Sequence, residues 1–526
     1  MHNSIENAQS THAAETTISF LAASLLVLTI AASLFWSHYK LLWMDEQMEL
    51  WTDSVPTARQ VADIQMHYPI TLDPVAYHEI EHAALRLLGS GAFGLRLPSQ
   101  AGFLLMQICL FVFTRRIAGE NAGAIALAFP VLTGAFVYAQ EGRPYALMLG
   151  FCALAMVSWQ TVTRRKLKRA VALVTLAAAV ILAINVQYYG LLILVPLFAA
   201  ELVRTIVNRR IDWPVWTALC AGACGTLLLL PTLGAARVFL PHRWDPAGAT
   251  LDNVSRAYFM AMPHFTVDHN SPGWLMVAFG VFCLILLLGC VLNFRIWLER
   301  EILPEAVLVG SLMALPIFGF LLALVTHALE PRYLVCTVLG VSSFVAVTLS
   351  PWLHNRRGAV LAFVLVFVVI LSGLAQILRA RGYAEDSIAS FQVAPEVKAA
   401  LLASATKNLY ISSPLLFTQL SQYEADPDVR SRLALLYSEA EEVRYSRTDT
   451  YALIAQHLGR FTSLKTESYE SLASLPGDHL YLLAIPESFG QDWVISASAR
   501  RQAKIWPAGS LAHGQVLSIS FAPKPQ

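Results

Sequence analysis

Residues 17–49 read TISFLAASLLVLTIAASLFWSHYKLLWMDEQME. The first part, 17–37, carries no charged residue and is long enough to cross the roughly 30 Å hydrocarbon core of a bilayer as a helix. Its flank, 1–16, has no Lys or Arg, and the run is too long for a cleaved signal sequence. The stretch therefore predicts a retained membrane helix that leads directly to two adjacent carboxylates, Asp45 and Glu46.

The whole chain has the composition of a membrane protein. Its 526 residues are 56% hydrophobic and 14% charged, whereas soluble domains carry about 25% charged residues. The formal net charge of +1 argues against a nucleic-acid partner, which requires a basic surface. The seven cysteines all lie in apolar stretches, which predicts buried thiols and neither disulfides nor a Cys-x-x-Cys metal site.

Apolar runs of membrane-spanning length recur along the chain and predict a polytopic α-helical membrane protein with about eleven transmembrane helices. The predicted spans are 17–37, 97–114, 120–138, 144–162, 170–186, 189–203, 214–233, 272–294, 302–326, 333–352 and 359–378.

Clusters of Lys and Arg fall in alternate connections between these spans, at residues 115–116, 164–169, 204–210, 295–300 and 356–357. Because positive residues concentrate in cytoplasmic loops, this alternation predicts a cell (inner) membrane protein with a cytoplasmic N-terminal tail, 1–16. It also places the long loop 38–96 and the C-terminal region outside the cytoplasm. The predicted domains are thus the tail, a transmembrane domain over 17–380 that includes this loop, and an extracytoplasmic domain over 381–526.

The C-terminal region alternates short apolar strands with amphipathic helices. Strands are predicted at 408–412, 433–437 and 479–485, with helices at 414–423 and 447–459 between them. This alternation predicts a soluble α/β domain with a largely parallel sheet.

Polar groups cluster at the outer ends of the predicted spans. Asp45 and Glu46 lie at the hydrocarbon edge beside Trp43, where poor solvation suits a carboxylate to accept a proton. The alternative is an exposed acidic stop after a helix.

Arg143 and Arg332 each stand in a tiny outer turn, where an Arg is unusual and where its planar guanidinium suits a phosphate. The alternative for both is an interfacial Arg paired with its neighbouring Glu.

Residues 78–82 spell His78-Glu79-Ile80-Glu81-His82, which matches the H-E-x-x-H motif of zinc proteases. On a helix, His78 and His82 share a face and can bind one metal ion, with Glu79 as the base. No third ligand follows at a protease spacing, so ordinary surface histidines on an interfacial helix remain the alternative.

Several further motifs follow one another along the chain. They are Trp43-Met-Asp45-Glu46, Pro74-x-x-Tyr77, His82-x-x-x-Arg86-Leu-x-Gly89, Leu95-Arg96-Leu-Pro98-Ser99, Gln140-Glu141-x-Arg143-x-Tyr145-Ala-Leu and Pro331-Arg332-Tyr333-Leu. Their order resembles the GT-C superfold of membrane glycosyltransferases, and most closely glycosyltransferase family 39, which has protein O-mannosyltransferases and aminoarabinose transferases as relatives. The resemblance covers most of residues 17–380, although the His-Pro-Pro of the family is Asp73-Pro74-Val75 here.

The resemblance implies transfer of a sugar from a polyprenyl-phosphate carrier to an acceptor outside the cytoplasm. It implies that Asp45, with Glu46 beside it, forms the catalytic acidic pair. Contacts to the donor phosphate or sugar are expected from Glu141, Arg143, Tyr145, Arg332, Tyr333 and Tyr77.

Transfer with inversion at the anomeric carbon is therefore the function predicted, with the bilayer, the polyprenyl-phosphate sugar and an unidentified lipid, protein or envelope-glycan acceptor as partners. No cofactor is certain, and a divalent metal held by His78 and His82 stays open. A membrane zinc metalloprotease and a lipid or solute transporter are the alternatives. The prediction requires that the acidic pair and the two guanidiniums serve one outer pocket.

Overall fold

The structure is a computed structural model that describes residues 22–89, 91–164, 168–239, 250–263, 284, 287–289, 291–326, 329–354, 387–403, 407–475, 477–484 and 493–521. The chain forms two compact units. One comprises residues 1–38, 92–230 and 245–377, and the other comprises 39–91, 231–244 and 378–526. The first outer loop and the C-terminal region thus belong to one unit.

Six described helices are long and apolar enough to cross a membrane, and a bent pair adds a seventh candidate. The pair, Leu303–Met313 and Leu315–Leu324, bends by 50°. The six helices are Ala22–Tyr39, Ala92–Ala118, Pro144–Arg164, Arg169–Val186, Tyr188–Asn208 and Trp213–Ala235. These residues support a multi-pass helical fold but do not confirm the count of eleven. The predicted span 359–378 and most of 272–294 lie outside the described residues.

One predicted span, 120–138, is broken. Its helix ends at Ala128, and the 3₁₀ helices Phe129–Leu132 and Gly134–Gln140 follow. Pro130 causes the break because proline has no N–H for the helical ladder and crowds the preceding turn. The remaining helical segments of the apolar region are Leu251–Ala261, Phe294–Leu298, Pro331–Leu334, Thr337–Leu349 and Ser350–His354.

Helices Ala92–Ala118 and Pro144–Arg164 pack closely because glycines face each other at their contact. A Cβ on Gly102 would lie 2.3 Å from Leu147 Cα, and one on Gly150 would lie 2.5 Å from the Gly102 carbonyl oxygen. Only glycine permits so close an approach of two backbones.

The Lys/Arg-rich connections meet at one end of this unit. Arg164 donates to the Arg116 carbonyl oxygen at 2.8 Å and pairs with Glu305 at 2.6 Å. Asp212 pairs with Arg204 at 2.8 Å and also with Arg169 of the 164–169 connection. Four connections far apart in the sequence therefore share one end, as expected if alternate loops lie on the same side of a membrane.

The second unit contains a six-stranded sheet of order β3-β2-β1-β4-β6-β5. Strands β1 to β4 run parallel, and β5 and β6 are antiparallel additions. The predicted α/β domain is confirmed, although β3, β5 and β6 were not predicted. The strands are Leu409–Ile411, Leu433–Tyr437, Lys465–Ser468, Gly477–Ala484, Lys504–Leu511 and Gly514–Phe521.

Helices complete this unit. Three lie in the first outer loop: Met44–Asp53, named here the first-loop helix, Ala58–His67, and Val75–Leu88, named the histidine helix. The others are Pro395–Leu402, Pro414–Tyr423, Pro427–Arg430, Glu439–Ser446, Thr450–Phe461, Tyr469–Leu472 and Trp493–Arg500.

Both faces of the parallel strands are covered. Leu409 and Ile411 belong to one hydrophobic core, whereas Tyr410 between them belongs to another. Met48 and Ile70 of the first outer loop lie in the same core as Leu409. The loop that carries the acidic pair therefore packs, together with helices of the C-terminal region, against one face of the sheet.

Candidate functional site

The turn that carries Arg143 links a 3₁₀ helix to the helix Pro144–Arg164. Arg143 N–H donates to the Glu141 carbonyl oxygen at 2.8 Å, and the Ser99 hydroxyl donates to the Arg143 carbonyl oxygen at 2.7 Å. A Cβ on Gly142 would lie 2.5 Å from Leu95 Cγ, so the turn sits directly against the helix Ala92–Ala118. Arg143 is only 7% exposed. Its backbone is therefore held rigidly from two sides.

The second turn carries Arg332 in a short 3₁₀ helix, Pro331–Leu334. The Arg332 Nε atom lies 3.9 Å from Glu330 Oε2, and its guanidinium carbon lies 5.8 Å from the Tyr333 ring centroid. The Asn253 side chain donates to the Leu329 carbonyl oxygen at 2.8 Å and fixes the start of the turn.

The two turns meet through tyrosine rings. Tyr145 and Tyr333 have ring centroids 6.4 Å apart, and Tyr138 lies 4.9 Å from Tyr145. Tyr138 also lies within electrostatic range of Arg143, Arg332 and both neighbouring glutamates, Glu141 and Glu330. The sequence-predicted donor residues Glu141, Arg143, Tyr145, Arg332 and Tyr333 are therefore brought together. This group, with Tyr138, is called here the arginine–tyrosine cluster.

Two residues of this region were missed by sequence reasoning. Tyr189 stacks on Tyr333 with centroids 4.4 Å apart, and Tyr138 lies within electrostatic range of both arginines. The sequence signal that could have identified both tyrosines was their position along the chain. Tyr189 stands where one apolar run gives way to the next, and Tyr138 stands just before the Arg143 turn.

Asp45 and Glu46 begin the first-loop helix. Trp43 N–H donates to Glu46 Oε2 at 3.4 Å, which forms half of a capping box. Glu46 is fully buried, whereas Asp45 is partly exposed. The acidic pair is thus divided: one carboxylate caps the helix, and the other remains accessible.

The C-terminal region holds the start of this helix. Leu42 N–H donates to the Tyr423 hydroxyl oxygen at 2.6 Å, and Gln419 Nε2 donates to the Leu42 carbonyl oxygen at 2.9 Å. Burial, then the charges of Glu442 and Asp45, raise the pKa of the Tyr451 phenol to about 12. Asp45 therefore lies within electrostatic range of Tyr451, a residue of the α/β domain.

Tyr77 lies on the buried side of the histidine helix. It is 0% exposed, and its hydroxyl donates to Glu81 Oε1. Burial, followed by the charges of Glu81, Glu49 and Asp73, raises the pKa of this phenol well above its usual value. The Tyr77 hydroxyl is therefore paired with Glu81, and its expected contact with the donor stays a prediction.

The histidines of the H-E-x-x-H match also point inward, but they do not form the protease arrangement. His82 Nδ1–H donates to the main-chain carbonyl oxygen of Asp53 at 2.8 Å. Glu79, the expected base, is exposed on the helix surface while both histidines are buried. Over the described part of the chain, the group spaced for a metal is Glu49, Asp53 and His78, without His82. The His78–His82 metal pair and its protease use are therefore not supported.

No family model matches the chain, and no curated protein matches it. Solved structures do. ArnT from Cupriavidus metallidurans in the apo state matches with a TM-score of 0.58 at 14% identity, over 96% of this chain and 98% of that one. The same protein bound to undecaprenyl phosphate matches with a TM-score of 0.52 at 14% identity, over 97% and 99% of the chains.

An archaeal oligosaccharyltransferase from Archaeoglobus fulgidus matches more weakly, with a TM-score of 0.41 at 13% identity, over 78% of this chain and 64% of that one. The ArnT matches extend over almost all of both chains, including the C-terminal domain. The expected resemblance is therefore confirmed at the level of the fold, which this chain shares with ArnT over almost its whole length.

Proposed function

We propose that this protein is a membrane glycosyltransferase. It moves a sugar from a polyprenyl-phosphate donor to an acceptor outside the cytoplasm, with inversion at the anomeric carbon. The observation that carries the proposal is the meeting of Arg143 and Arg332 around Tyr138 in a chain with this fold. A related fold has been solved with undecaprenyl phosphate bound.

In the proposed reaction, an acceptor oxygen attacks the anomeric carbon as the bond from that carbon to the phosphate oxygen breaks. Asp45 takes the proton of the acceptor hydroxyl, and the polyprenyl phosphate leaves with its electron pair. A positioned general base is worth roughly 10²–10⁴ in rate. Glu46 supports this step indirectly, because its capping bond fixes the first turn in which Asp45 stands.

Arg143 and Arg332 stabilise the phosphate as it leaves. Each guanidinium can make two parallel N–H···O bonds to phosphate oxygens, and charge-assisted bonds of this kind are worth about 1.5–3 kcal/mol each. Glu141 and Glu330 lie beside the two arginines and limit the net positive charge there. This balance favours a monoanionic or dianionic ligand that can be released again.

The chemistry explains why the protein lies in a membrane. The isoprenoid tail of the donor is insoluble in water, and a groove between apolar helices can hold it while the phosphate stays at the outer turns. We propose that the N-terminus is in the cytoplasm and the C-terminal domain outside, because the arginine-rich connections between the membrane helices meet at one end of their unit, as expected on the cytoplasmic side.

The test is incubation of purified protein with radiolabelled polyprenyl-phosphate sugars and membrane extracts. We expect one sugar to move to a product of opposite anomeric configuration. Protein with the Arg332→Ala substitution is the matched negative control, and Arg59→Ala, at an exposed position of the first outer loop, is the positive one. Absence of transfer from every donor by the parent protein would contradict the proposal.

A further inference from the structure

Three side chains of the first outer loop point at one another in a fully buried space. Glu49 and Asp53 come from the first-loop helix, and His78 comes from the histidine helix; all three are 0% exposed. His78 Nδ1 lies 2.9 Å from Asp53 Oδ1 and 3.1 Å from Glu49 Oε2. One ligand atom from each residue falls within 4.8 Å of the others.

The two distances from His78 Nδ1 to the carboxylate oxygens are close to those between neighbouring ligands of one metal ion. Donor atoms bound to a divalent ion at about 2.1 Å lie roughly 3.0–3.4 Å from one another in octahedral or tetrahedral geometry. Glu49 and Asp53 are four residues apart on one helix and therefore share a face, so both carboxylates can reach the same ion. His78 then supplies the third ligand from the facing helix.

The other nitrogen of His78 is also held. The Thr71 hydroxyl lies 3.2 Å from His78 Nε2, and Gln65 Nε2 donates to that hydroxyl oxygen at 3.4 Å. A metal-bound histidine typically uses its second nitrogen in this way, since the outer partner fixes both the tautomer and the ring orientation. With Nε2–H donating to Thr71, Nδ1 presents its lone pair to the two carboxylates.

Further acidic groups surround the three ligands. The Asp53 carboxyl hydrogen bonds to Glu81 and lies near Asp73. Carboxylates this close together and removed from water repel one another unless they share a proton or a cation. The surrounding acidic groups therefore stabilise a bound cation.

We propose that Glu49, Asp53 and His78 bind a divalent transition metal ion, Mn²⁺ or Zn²⁺, that clamps the first-loop helix to the histidine helix. One imidazole with two carboxylates suits these borderline ions better than Mg²⁺ or Ca²⁺, which prefer oxygen ligands alone. The ion orders the first-loop helix, which carries Asp45 in its first turn, but the inference does not depend on the proposed glycosyl transfer.

The test is metal analysis of the full-length protein, purified in detergent without chelators and then offered Mn²⁺ or Zn²⁺ alone. We expect about one ion per chain that survives dialysis and is removed by a chelator. Removal should lower the melting temperature by roughly 2–6 °C, because a ligand at about 100 times its dissociation constant stabilises a chain of this size to that extent.

Variants locate the ion. Glu49→Gln, Asp53→Asn and His78→Gln should each lose it, whereas His82→Gln and His67→Gln should keep it; His67 is exposed and serves as the surface control. The proposal is overturned if the parent protein binds neither metal, or if His82→Gln loses the ion while Glu49→Gln retains it. The parent measurement decides even if a buried variant fails to fold, and it remains valid if no sugar transfer is found.

Discussion

Replacing Arg143 by lysine separates the charge of this residue from its shape. The guanidinium is nearly buried, at 7% exposure, and its backbone is fixed by the bonds to Glu141 and Ser99. Lysine keeps the positive charge and most of the volume, but its ammonium group cannot make two parallel bonds to one phosphate. The substitution therefore tests bidentate phosphate contact without removing the local charge balance.

The magnitude follows from the burial. Since solvent screens this position little, the lost charge-assisted hydrogen bond should cost about 1.5–2 kcal/mol. At 1.4 kcal/mol for each factor of ten, affinity for a polyprenyl phosphate should fall roughly 10- to 30-fold. Affinity for the corresponding alcohol, which has no phosphate, should not change.

The assay is equilibrium binding of undecaprenyl phosphate and of undecaprenol to purified protein, measured by competition with a fluorescent polyprenyl phosphate. Arg59→Lys, at an exposed position of the first outer loop, is the matched control and should bind both ligands as the parent does. If Arg143→Lys retains the full preference of the parent for the phosphate, Arg143 does not contact it and the reasoning is refuted.

Three further substitutions test the packing and the electrostatics. Gly102→Ala would place a Cβ 2.3 Å from a backbone atom of Leu147. It should cost about 1–3 kcal/mol and lower the melting temperature by several degrees, whereas Gly310→Ala, with nothing within 4 Å, should not. Tyr423→Phe removes the acceptor of the Leu42 N–H, so hydrogen exchange of that amide should accelerate about tenfold without global unfolding. Burial raises the pKa of Glu442 to about 7. The stability gained from this raised pKa is complete below about pH 4.3, the pKa of a Glu in an unfolded chain, and it is lost as the pH rises through 7. The parent should therefore lose up to roughly 3 kcal/mol between pH 5 and 8 relative to Glu442→Gln in denaturant titrations, and equal pH profiles would count against this.

Patterns within single segments of the sequence predicted the helices whose formation depends mainly on those segments. The predicted span 144–162 is the helix Pro144–Arg164, and 170–186 is Arg169–Val186, because uninterrupted apolar residues between charged ends leave few other conformations in lipid. The predicted helix 414–423 matches Pro414–Tyr423, with Ser413 as its N-cap. The two arginine-bearing turns were also predicted, since an Arg in a short outer turn is unusual.

Long-range packing was beyond the reach of these signals. Strand β3 contains no apolar residue, and Pro507 and Gly509 interrupt β5, so both strands owe their conformation to pairing with neighbours. The core that joins Met48 to the sheet contains residues more than 300 positions apart in the chain. The group of Glu49, Asp53 and His78 requires two helices to pack in one register, whereas the H-E-x-x-H match used only the spacing within one helix.

The most direct test of the account is the rate of sugar transfer by Asp45→Asn. The substitution keeps the size of the side chain and removes its capacity to accept a proton. The control is Asp63→Asn, whose carboxylate is 62% exposed in the same loop. We predict that Asp45→Asn lowers the rate by roughly 10²–10⁴ while undecaprenyl phosphate binding and the rate of the control stay at the parent level. Transfer by Asp45→Asn at the parent rate would contradict the account.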